Sequence, residues 1–175
     1  GLINLDADIS TYLGFQFRNP AFPNDVITTR QVISHTASLR DGNGYDNFLS
    51  ASYNQTPPPN ISSLFLPGGT YYNVDVWNSS KAPAANYFQY ANVNFAVIGT
   101  LVEKLSNKRF DIYCRENIFI PLGMDASFNI QDIVGFNNLA ALYRKNGGNW
   151  VAQADNYNGI KPAPLNLGQY VVGSN

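Results

Sequence analysis

A tyrosine and an asparagine stand two residues apart, at Tyr90 and Asn92, immediately before an apolar segment. In an extended or turn conformation, the side chains of residues i and i+2 point in the same direction. The phenol hydroxyl and the carboxamide could therefore enter one cleft. The opposing interpretation is structural: Tyr90 would be a core aromatic whose hydroxyl bonds the backbone, and Asn92 would only cap a helix.

The chain has one histidine, His35, and one cysteine, Cys114. A Ser-His-Asp triad would have to use His35, and neither a His-rich nor a Cys-based metal centre can be built. His35 stands late in a predicted helix, so we expect a structural histidine whose ring bonds backbone carbonyls. Cys114 lies on another predicted helix and is expected to be a packed small residue.

The composition predicts a folded domain with a substantial core. The chain has 175 residues, of which 45% are hydrophobic and 14% aromatic, and its net charge is -1. This length fits one domain, or one domain with part of another. The near-zero charge gives no attraction for nucleic acid or anionic lipid. The longest apolar run, residues 95–102, is much shorter than the roughly 20 residues that a membrane helix needs.

Two helices should position the tyrosine and the asparagine. Residues 27–33 open the first helix, where Thr28 and Gln31 fit a capping box, and this helix should end between residues 35 and 38. Residues 92–105 form the second helix, with Asn92 as its cap. Its apolar side chains follow a 3.6-residue period: Phe95, Ile98, Leu101, Val102 and Leu105.

The remaining local signals are weaker. Residues 110–118 predict a helix that stops before Pro121. Residues 139–145 and 150–154 flank an Asn-Gly-Gly-Asn sequence, which predicts a β-hairpin.

Residues 40–90 are predicted to be a long irregular loop region, rich in proline, glycine and aromatic residues. The aromatic side chains between residues 71 and 88 could form the wall of a substrate cleft or pack ordinarily within the loop. Near the start of the chain, residues 5–13 predict a turn and a short helical turn. Asp6 and Asp8 lie in that turn, but the calcium-loop pattern is missing, so a surface turn is expected.

Four segments resemble the serine β-lactamase-like family, which includes class C β-lactamases, D,D-peptidases and related esterases. Residues 2–13 resemble its "L-D-d-p-v-x-x-Y-L" entry segment, and residues 27–39 resemble "iT-x-r-x-L-L-x-H-T-S-G-L". Residues 90–99 resemble "Y-S/A-N-x-x-y-x-l-L-G", and residues 119–124 resemble "i-f-x-P-L-G-M". The segments occur in the family's order, and the chain is identified as a member.

The resemblance implies an acyl-enzyme mechanism. A serine of an S-x-x-K motif attacks a carbonyl group, and the motif lysine and the Y-x-N tyrosine share the proton transfers. By this resemblance Tyr90 is the catalytic general acid/base, and Asn92 binds substrate and orients the lysine. A phenol is a poor base at neutral pH, so it needs nearby cations, which the family supplies from its lysines.

The resemblance also implies the fold class, which is α+β and mostly helical. Residues 1–175 are expected to form a single fragment, the central helical-domain portion of the β-lactamase/transpeptidase-like fold, with one or two short hairpins. No metal or organic cofactor is implied. Family members are often exported, so a periplasmic or secreted location is expected.

The chain departs from the family pattern in three places. It has no S-x-x-K, since the serines near Lys81 and Lys108 have the wrong spacing, and it has no K-T-G or H-x-G. Both motifs are expected to lie beyond the two ends, so the chain is expected to be a central fragment that is inactive alone. The family usually has Pro-Gly before Y-x-N; here Pro83 and Ala84 stand there, which leaves the substrate preference open.

Three functions remain open at this stage. The first is part of a serine hydrolase that cleaves an ester, a D-amino acyl peptide or a β-lactam, with a small molecule or peptide as its substrate. The second is a non-catalytic penicillin-binding-like domain that binds peptide or cell-wall fragments. The third is a scaffold domain, which would require Tyr90 to be buried. An apolar face left without its sheet also predicts self-association of the fragment.

Overall fold

The computed structural model describes residues 2–55, 58–84, 86–128 and 130–152. They fall into two compact units, residues 2–113 and 114–152. The first unit contains α1 (Ser10–Leu13), α2 (Thr29–Ile33), α3 (Asn43–Asn54), α4 (Ser62–Phe65), a 3-10 turn (Val74–Val76), α5 (Val93–Ser106) and most of α6 (Phe110–Cys114). Within these ranges, no helix is long and apolar enough to cross a membrane.

The second unit is shorter and contains a β-hairpin. It begins with a π-helical turn (Arg115–Phe119), followed by 3-10 turns at Ile130–Asp132 and Phe136–Asn138. Strands β1 (Tyr143–Asn146) and β2 (Asn149–Ala152) then pair antiparallel, with Lys145 opposite Trp150. The mostly helical α+β class is therefore confirmed in outline.

The predicted hairpin is confirmed, and its turn explains its register. Gly147 and Gly148 have φ angles of 55° and 87°. A two-residue turn with both φ angles positive matches the twist of antiparallel strands, and glycine adopts it without steric cost. The end of the second predicted strand, beyond residue 152, lies outside the described residues.

Three aromatic rings form the centre of the first unit's core. The ring of Phe17 lies 4.7 Å from that of Phe65 and 5.1 Å from that of Trp77, between centroids. Burying one such side chain contributes about 1.5–3 kcal/mol, so this group joins an N-terminal loop to α4 and to the segment after the 3-10 turn. Other fully buried apolar side chains surround it: Ile9, Leu13, Ile27, Val32, Leu39, Phe48, Leu64, Val76, Val93 and Val97.

The helix predicted over residues 92–105 is confirmed as α5, and its buried face coincides only in part with the periodic apolar residues. Val93, Val97 and Leu101, four residues apart, enter the core. Phe95, which belongs to the periodic apolar set, is 54% exposed. Several faces of α5 carry apolar residues, so periodicity alone could not select the buried one.

Within the long irregular region predicted over residues 40–90, the segment Asn43–Asn54 instead forms α3. Its sequence is rich in Asn, Gly, Asp and Ser, which form helices poorly. Tyr45 and Phe48 lie one turn apart and are both buried. The Asp75 carboxylate accepts the backbone N–H of Asn43 at 2.8 Å, which caps the helix from a distant position. Burial and this cap outweigh the poor propensity.

The two acids near the start of the chain each bind a guanidinium group. Asp6 pairs with Arg30 on the surface, with an Nε–Oδ1 distance of 2.7 Å. Asp8 accepts hydrogen bonds from both terminal nitrogens of Arg18 and from the backbone N–H of Ser10. The bonds from Arg18 lower the pKa of Asp8 to about 2, against the opposing effect of partial burial. The expected surface turn is confirmed.

The contribution of Asp8 to the unfolding free energy should decrease at acidic pH. Its folded-state pKa is depressed, so its stabilisation is present above the unfolded value of 3.8 and is lost as pH falls through about 2. We expect Asp8→Asn to lose about 2 kcal/mol of unfolding free energy near neutral pH and much less near pH 2. Denaturant titrations across this range measure the difference.

The control for Asp8 is Asp6→Asn, because the Asp6–Arg30 pair is exposed and screened by solvent. Its effect on stability should be small at every pH. An Asp8→Asn variant with the acid dependence of the wild type would show that the Asp8–Arg18 pair contributes nothing.

Ser38 is a buried residue in a left-handed backbone conformation, with a φ of 64°. Its hydroxyl accepts a hydrogen bond from Asn19 Nδ2 at 2.8 Å and faces the carbonyl oxygens of Asn78 and Lys81. A residue with a Cβ pays about 1 kcal/mol or more for this conformation. The hydroxyl contacts offset that strain.

Two substitutions at Ser38 separate strain from hydrogen bonding. Ser38→Ala keeps the strained φ and loses the hydroxyl, whereas Ser38→Gly loses the hydroxyl but relieves the strain. We expect the alanine variant to be less stable than the glycine variant by about 1 kcal/mol. Equal unfolding free energies for the two variants would show that residue 38 carries no backbone strain.

Candidate active site

The structure brings Tyr90 and Asn92 together on the surface before α5. The Tyr90 hydroxyl donates a hydrogen bond to Asn92 Oδ1 at 3.0 Å, and the tyrosine side chain is 58% exposed. The alternative of a buried core tyrosine is therefore wrong. Because an amide oxygen only accepts, the phenol proton points to Asn92.

Asn92 does not cap α5, contrary to the sequence expectation. It occupies the N-cap position in a helical backbone conformation, and its side chain makes no capping hydrogen bond. The carboxylate of Asp41 performs this function. It accepts the backbone N–H of Asn92 at 2.9 Å and that of Val93 at 3.0 Å. A carboxylate at this end also complements the helix dipole.

Asp41 also holds the Asn92 side chain. Asn92 Nδ2 donates to Asp41 Oδ2 at 2.7 Å. Tyr90, Asn92 and Asp41 thus form a continuous chain of hydrogen bonds, which we call the Tyr-Asn-Asp relay. Sequence reasoning missed Asp41, since it lies 51 residues from Asn92 and follows no motif spacing. Its position shortly after the His35 segment was the sole available signal.

His35 holds the segment that carries Tyr90. Its backbone oxygen accepts the N–H of Gln89 at 2.9 Å, and its Nδ1 accepts the N–H of Ala91 at 3.3 Å. Asn94 Nδ2 also approaches Nδ1, at 3.1 Å. The expected structural histidine is confirmed, but the expectation that its ring bonds carbonyls is wrong. Since Nδ1 accepts a backbone N–H, the ring proton lies on Nε2.

The C-terminal end of α2 determines the backbone conformation of His35. His35 has a φ of 57°, and its N–H bonds the Val32 oxygen while the Thr36 N–H bonds the Gln31 oxygen. These two bonds form a Schellman motif, in which glycine is the usual residue at the left-handed position. At the other end of α2, the predicted capping box between Thr28 and Gln31 is present.

Aromatic side chains surround the His35 ring. The rings of Tyr90, Phe95 and Phe88 lie 4.7, 5.4 and 5.7 Å from it, between centroids. Phe88 and Phe95 are 65% and 54% exposed, so they form an apolar surface around the His35 ring, against which Tyr90 also packs. Trp77, in contrast, is fully buried. Of the two interpretations of the 71–88 aromatics, core packing holds for Trp77, whereas Phe88 lies on the candidate site.

Cys114, the single cysteine of the chain, does not indicate a second candidate site. Cys114 is buried, as expected for a packed residue. No cluster of three or more His, Cys, Asp or Glu side chains suited to a metal ion occurs in the described part of the chain. Within that part, the hydrogen-bond partner of the Tyr90 hydroxyl is Asn92.

Comparison with known proteins agrees with the resemblance. The sequence model of the Beta-lactamase family matches residues 1–170. A structure of an octameric penicillin-binding protein homologue from Pyrococcus abyssi is similar over 87% of this chain and 34% of that chain, with 18% identity and a TM-score of 0.62.

Two further solved structures match 99% of this chain. Simvastatin synthase (LovD, LovD6 mutant) from Aspergillus terreus has 18% identity and a TM-score of 0.54, and 42% of it is covered. A D-stereospecific amidohydrolase from Streptomyces sp. has 16% identity and a TM-score of 0.51, and 49% is covered. At identities this low, the structural similarity shows a shared fold and nothing more. The chain spans between a third and a half of the length of the three structures.

Removing the His35 ring should loosen the candidate site. His35→Gly keeps the left-handed backbone without strain but loses the Nδ1 acceptor and the aromatic contacts. We expect the unfolding free energy to fall by about 2 kcal/mol and the Ala91 amide to exchange its hydrogen faster. Denaturant unfolding and hydrogen exchange measure both effects.

Asn107→Gly is the matched control for His35→Gly. Asn107 also has a left-handed conformation at a helix end, with a φ of 54°, but it is exposed. Its substitution should change stability by no more than about 0.5 kcal/mol. If His35→Gly were as stable as the wild type, the ring would not hold the Tyr90 segment.

Proposed function

The chain belongs to the β-lactamase family, and on that basis we propose that it is the Y-x-N-bearing, helical-domain portion of a serine hydrolase. The serine and lysine of S-x-x-K would come from a longer protein, which we call the parent protein. The observation that carries the proposal is the exposed Tyr90 hydroxyl, held by Asn92 in the Tyr-Asn-Asp relay.

In the proposed reaction, Tyr90 transfers protons during acyl transfer. The serine oxygen forms a bond to the substrate carbonyl carbon while its proton passes to the Tyr90–lysine pair. The bond to the leaving group then breaks, and the same pair returns a proton to the departing atom. Water repeats the sequence on the acyl-enzyme, releasing the acid and regenerating the serine. Asn92 orients the lysine and the substrate by hydrogen bonds.

The isolated chain is proposed to be inactive. A phenol is a weak base at neutral pH unless a cation stabilises its ionised form. The chain contains no serine three residues before a lysine. Without that lysine and serine, Tyr90 has neither a cation to activate it nor a nucleophile to deprotonate.

The proposed substrate is an ester, a D-amino acyl peptide or a β-lactam. The exposed rings of Phe88 and Phe95, which pack on the same histidine as Tyr90, support a substrate with an apolar group near its carbonyl. The proposed location of the protein is periplasmic or secreted. We also propose that the isolated chain self-associates through a largely apolar groove, which is lined by Leu2, Ile3, Val102, Leu105, Ser106 and Tyr113.

Kinetics of the parent protein test the catalytic assignment. We expect Tyr90→Phe to lower kcat by about 100- to 10,000-fold, since general acid–base groups contribute effects of this size. Tyr87→Phe is the matched control. Its hydroxyl accepts from Asn78 Nδ2 at 2.9 Å near the site, outside the relay, and its loss should change kcat less than about threefold. Hydrolysis of a chromogenic cephalosporin, a short ester and a D-Ala peptide gives the rates.

Each result of this experiment has a defined meaning. Wild-type turnover by Tyr90→Phe would contradict the role of Tyr90. Turnover by the isolated 175-residue chain would contradict its proposed inactivity. A parent protein that binds a labelled penicillin without forming a covalent bond would instead support a non-catalytic binder of peptide or cell-wall fragments.

A further inference from the structure

Asp41 makes one hydrogen bond more than a helix cap needs. Two of its bonds go to the backbone N–H groups of Asn92 and Val93, which satisfies the start of α5. The third comes from the side-chain amide of Asn92, and at 2.7 Å it is the shortest of the three. An ionised carboxylate only accepts hydrogen bonds. The atom of the Asn92 carboxamide that faces Asp41 must therefore be nitrogen.

This contact determines the orientation of the whole carboxamide. With Nδ2 against Asp41, Oδ1 faces the Tyr90 hydroxyl at 3.0 Å. Rotating the amide by half a turn would place Oδ1 against the carboxylate at hydrogen-bonding distance, where two acceptors repel each other. We propose that Asp41 is a positioning residue of the active site, which acts through Asn92 and sets the direction of the Tyr90 hydroxyl proton. The inference rests on the proposed function, because it assigns a role within the same site.

The orientation of the amide also determines which hydrogen-bond donor and acceptor Asn92 presents to a ligand. One hydrogen of Nδ2 is used by Asp41, and one lone pair of Oδ1 is used by Tyr90. The second Nδ2 hydrogen remains for a substrate carbonyl, and the second Oδ1 lone pair remains for a cationic lysine. A freely rotating amide would present these groups in exchanged places half of the time. Asp41 thus gives the site one defined pattern of donors and acceptors.

The chain contains a natural control for simple capping. Asp75 caps α3 as Asp41 caps α5: it accepts the backbone N–H of Asn43 at 2.8 Å and that of Gly44 at 3.4 Å. In the described part of the chain, the hydrogen bonds of Asp75 go to Arg40, Asn43, Gly44 and Asn73, and none goes to Tyr90 or Asn92. Replacing either aspartate by asparagine weakens a helix cap, but Asp41→Asn alone also frees the Asn92 amide.

The first test is spectroscopic and uses the 175-residue chain. The variants are Asp41→Asn and Asp75→Asn, and the readouts are the side-chain amide resonances of Asn92 and their rates of hydrogen exchange, with a thermal melt as the fold check. In the wild type and in Asp75→Asn we expect one amide orientation with slowed exchange. In Asp41→Asn we expect the exchange to accelerate at least about tenfold, because the charge-assisted bond to the carboxylate is lost. Asp41→Glu, which keeps the carboxylate, should recover part of the protection.

The second test uses a double-mutant cycle in the parent protein. We expect Asp41→Asn to lower kcat at least about tenfold while Asp75→Asn stays within about twofold, with similar decreases in Tm for both. In an Asn92→Ala background, Asp41→Asn should have no further effect on kcat, because Asp41 acts through Asn92.

The outcomes separate the inference from the proposed function. If the Asn92 amide behaves identically in Asp41→Asn and in the wild type, the positioning role is refuted whatever the enzyme does. Equal effects of Asp41→Asn and Asp75→Asn on kcat, or additive effects with Asn92→Ala, would refute it as well and leave Asp41 as a cap only. A parent protein without hydrolase activity would refute the proposed function. The amide resonances would still show whether Asp41 fixes the orientation of the Asn92 side chain.

Discussion

The candidate site depends on one carboxylate at the start of one helix. Asp41 accepts the first backbone N–H groups of α5 and the side-chain amide of Asn92. Unsatisfied N–H groups at a helix start are costly, and a cap is worth about 0.5–2 kcal/mol. The same interaction that completes α5 therefore orients the Y-x-N motif, so the geometry of the site is coupled to the stability of the helix that carries it.

The second constraint on the site comes from His35, which bonds the chain on both sides of Tyr90. The backbone and ring of His35 accept the N–H groups of Gln89 and Ala91, and the ring packs against Tyr90 itself. This arrangement requires a left-handed residue at the end of α2, where glycine is the usual choice. Ser38, three residues later, is also left-handed and stands where the H-T-S-G-L pattern of the family has glycine. Two strained positions close to a site are expected where the surrounding contacts fix the backbone.

The sequence predicted those elements whose determining contacts join residues that are close together in the chain. The capping box of α2, the span of α5 and the Gly-Gly hairpin each depend on residues a few positions apart. The features that the sequence did not predict depend on distant residues: α3 is capped by Asp75, and α5 is capped by Asp41. Phe95 follows the apolar period of α5 but is exposed, because α5 is apolar on several faces and tertiary packing buries Val93, Val97 and Leu101. Spacing could suggest that Tyr90 and Asn92 share a cleft, but it could not reveal the third member of the relay.

We propose that Tyr90 transfers a proton to and from a serine that forms an acyl-enzyme. The most direct measurement is a crystal structure of the parent protein with a slowly released β-lactam or a phosphonate bonded to its serine. The Tyr90 hydroxyl oxygen should lie within about 2.6–3.2 Å of the serine oxygen, which is the distance that proton transfer requires, and the Asn92 amide should still be held by Asp41. An adduct in which the Tyr90 hydroxyl is too far from the serine oxygen to form a hydrogen bond, with no water between them, would contradict this role of Tyr90.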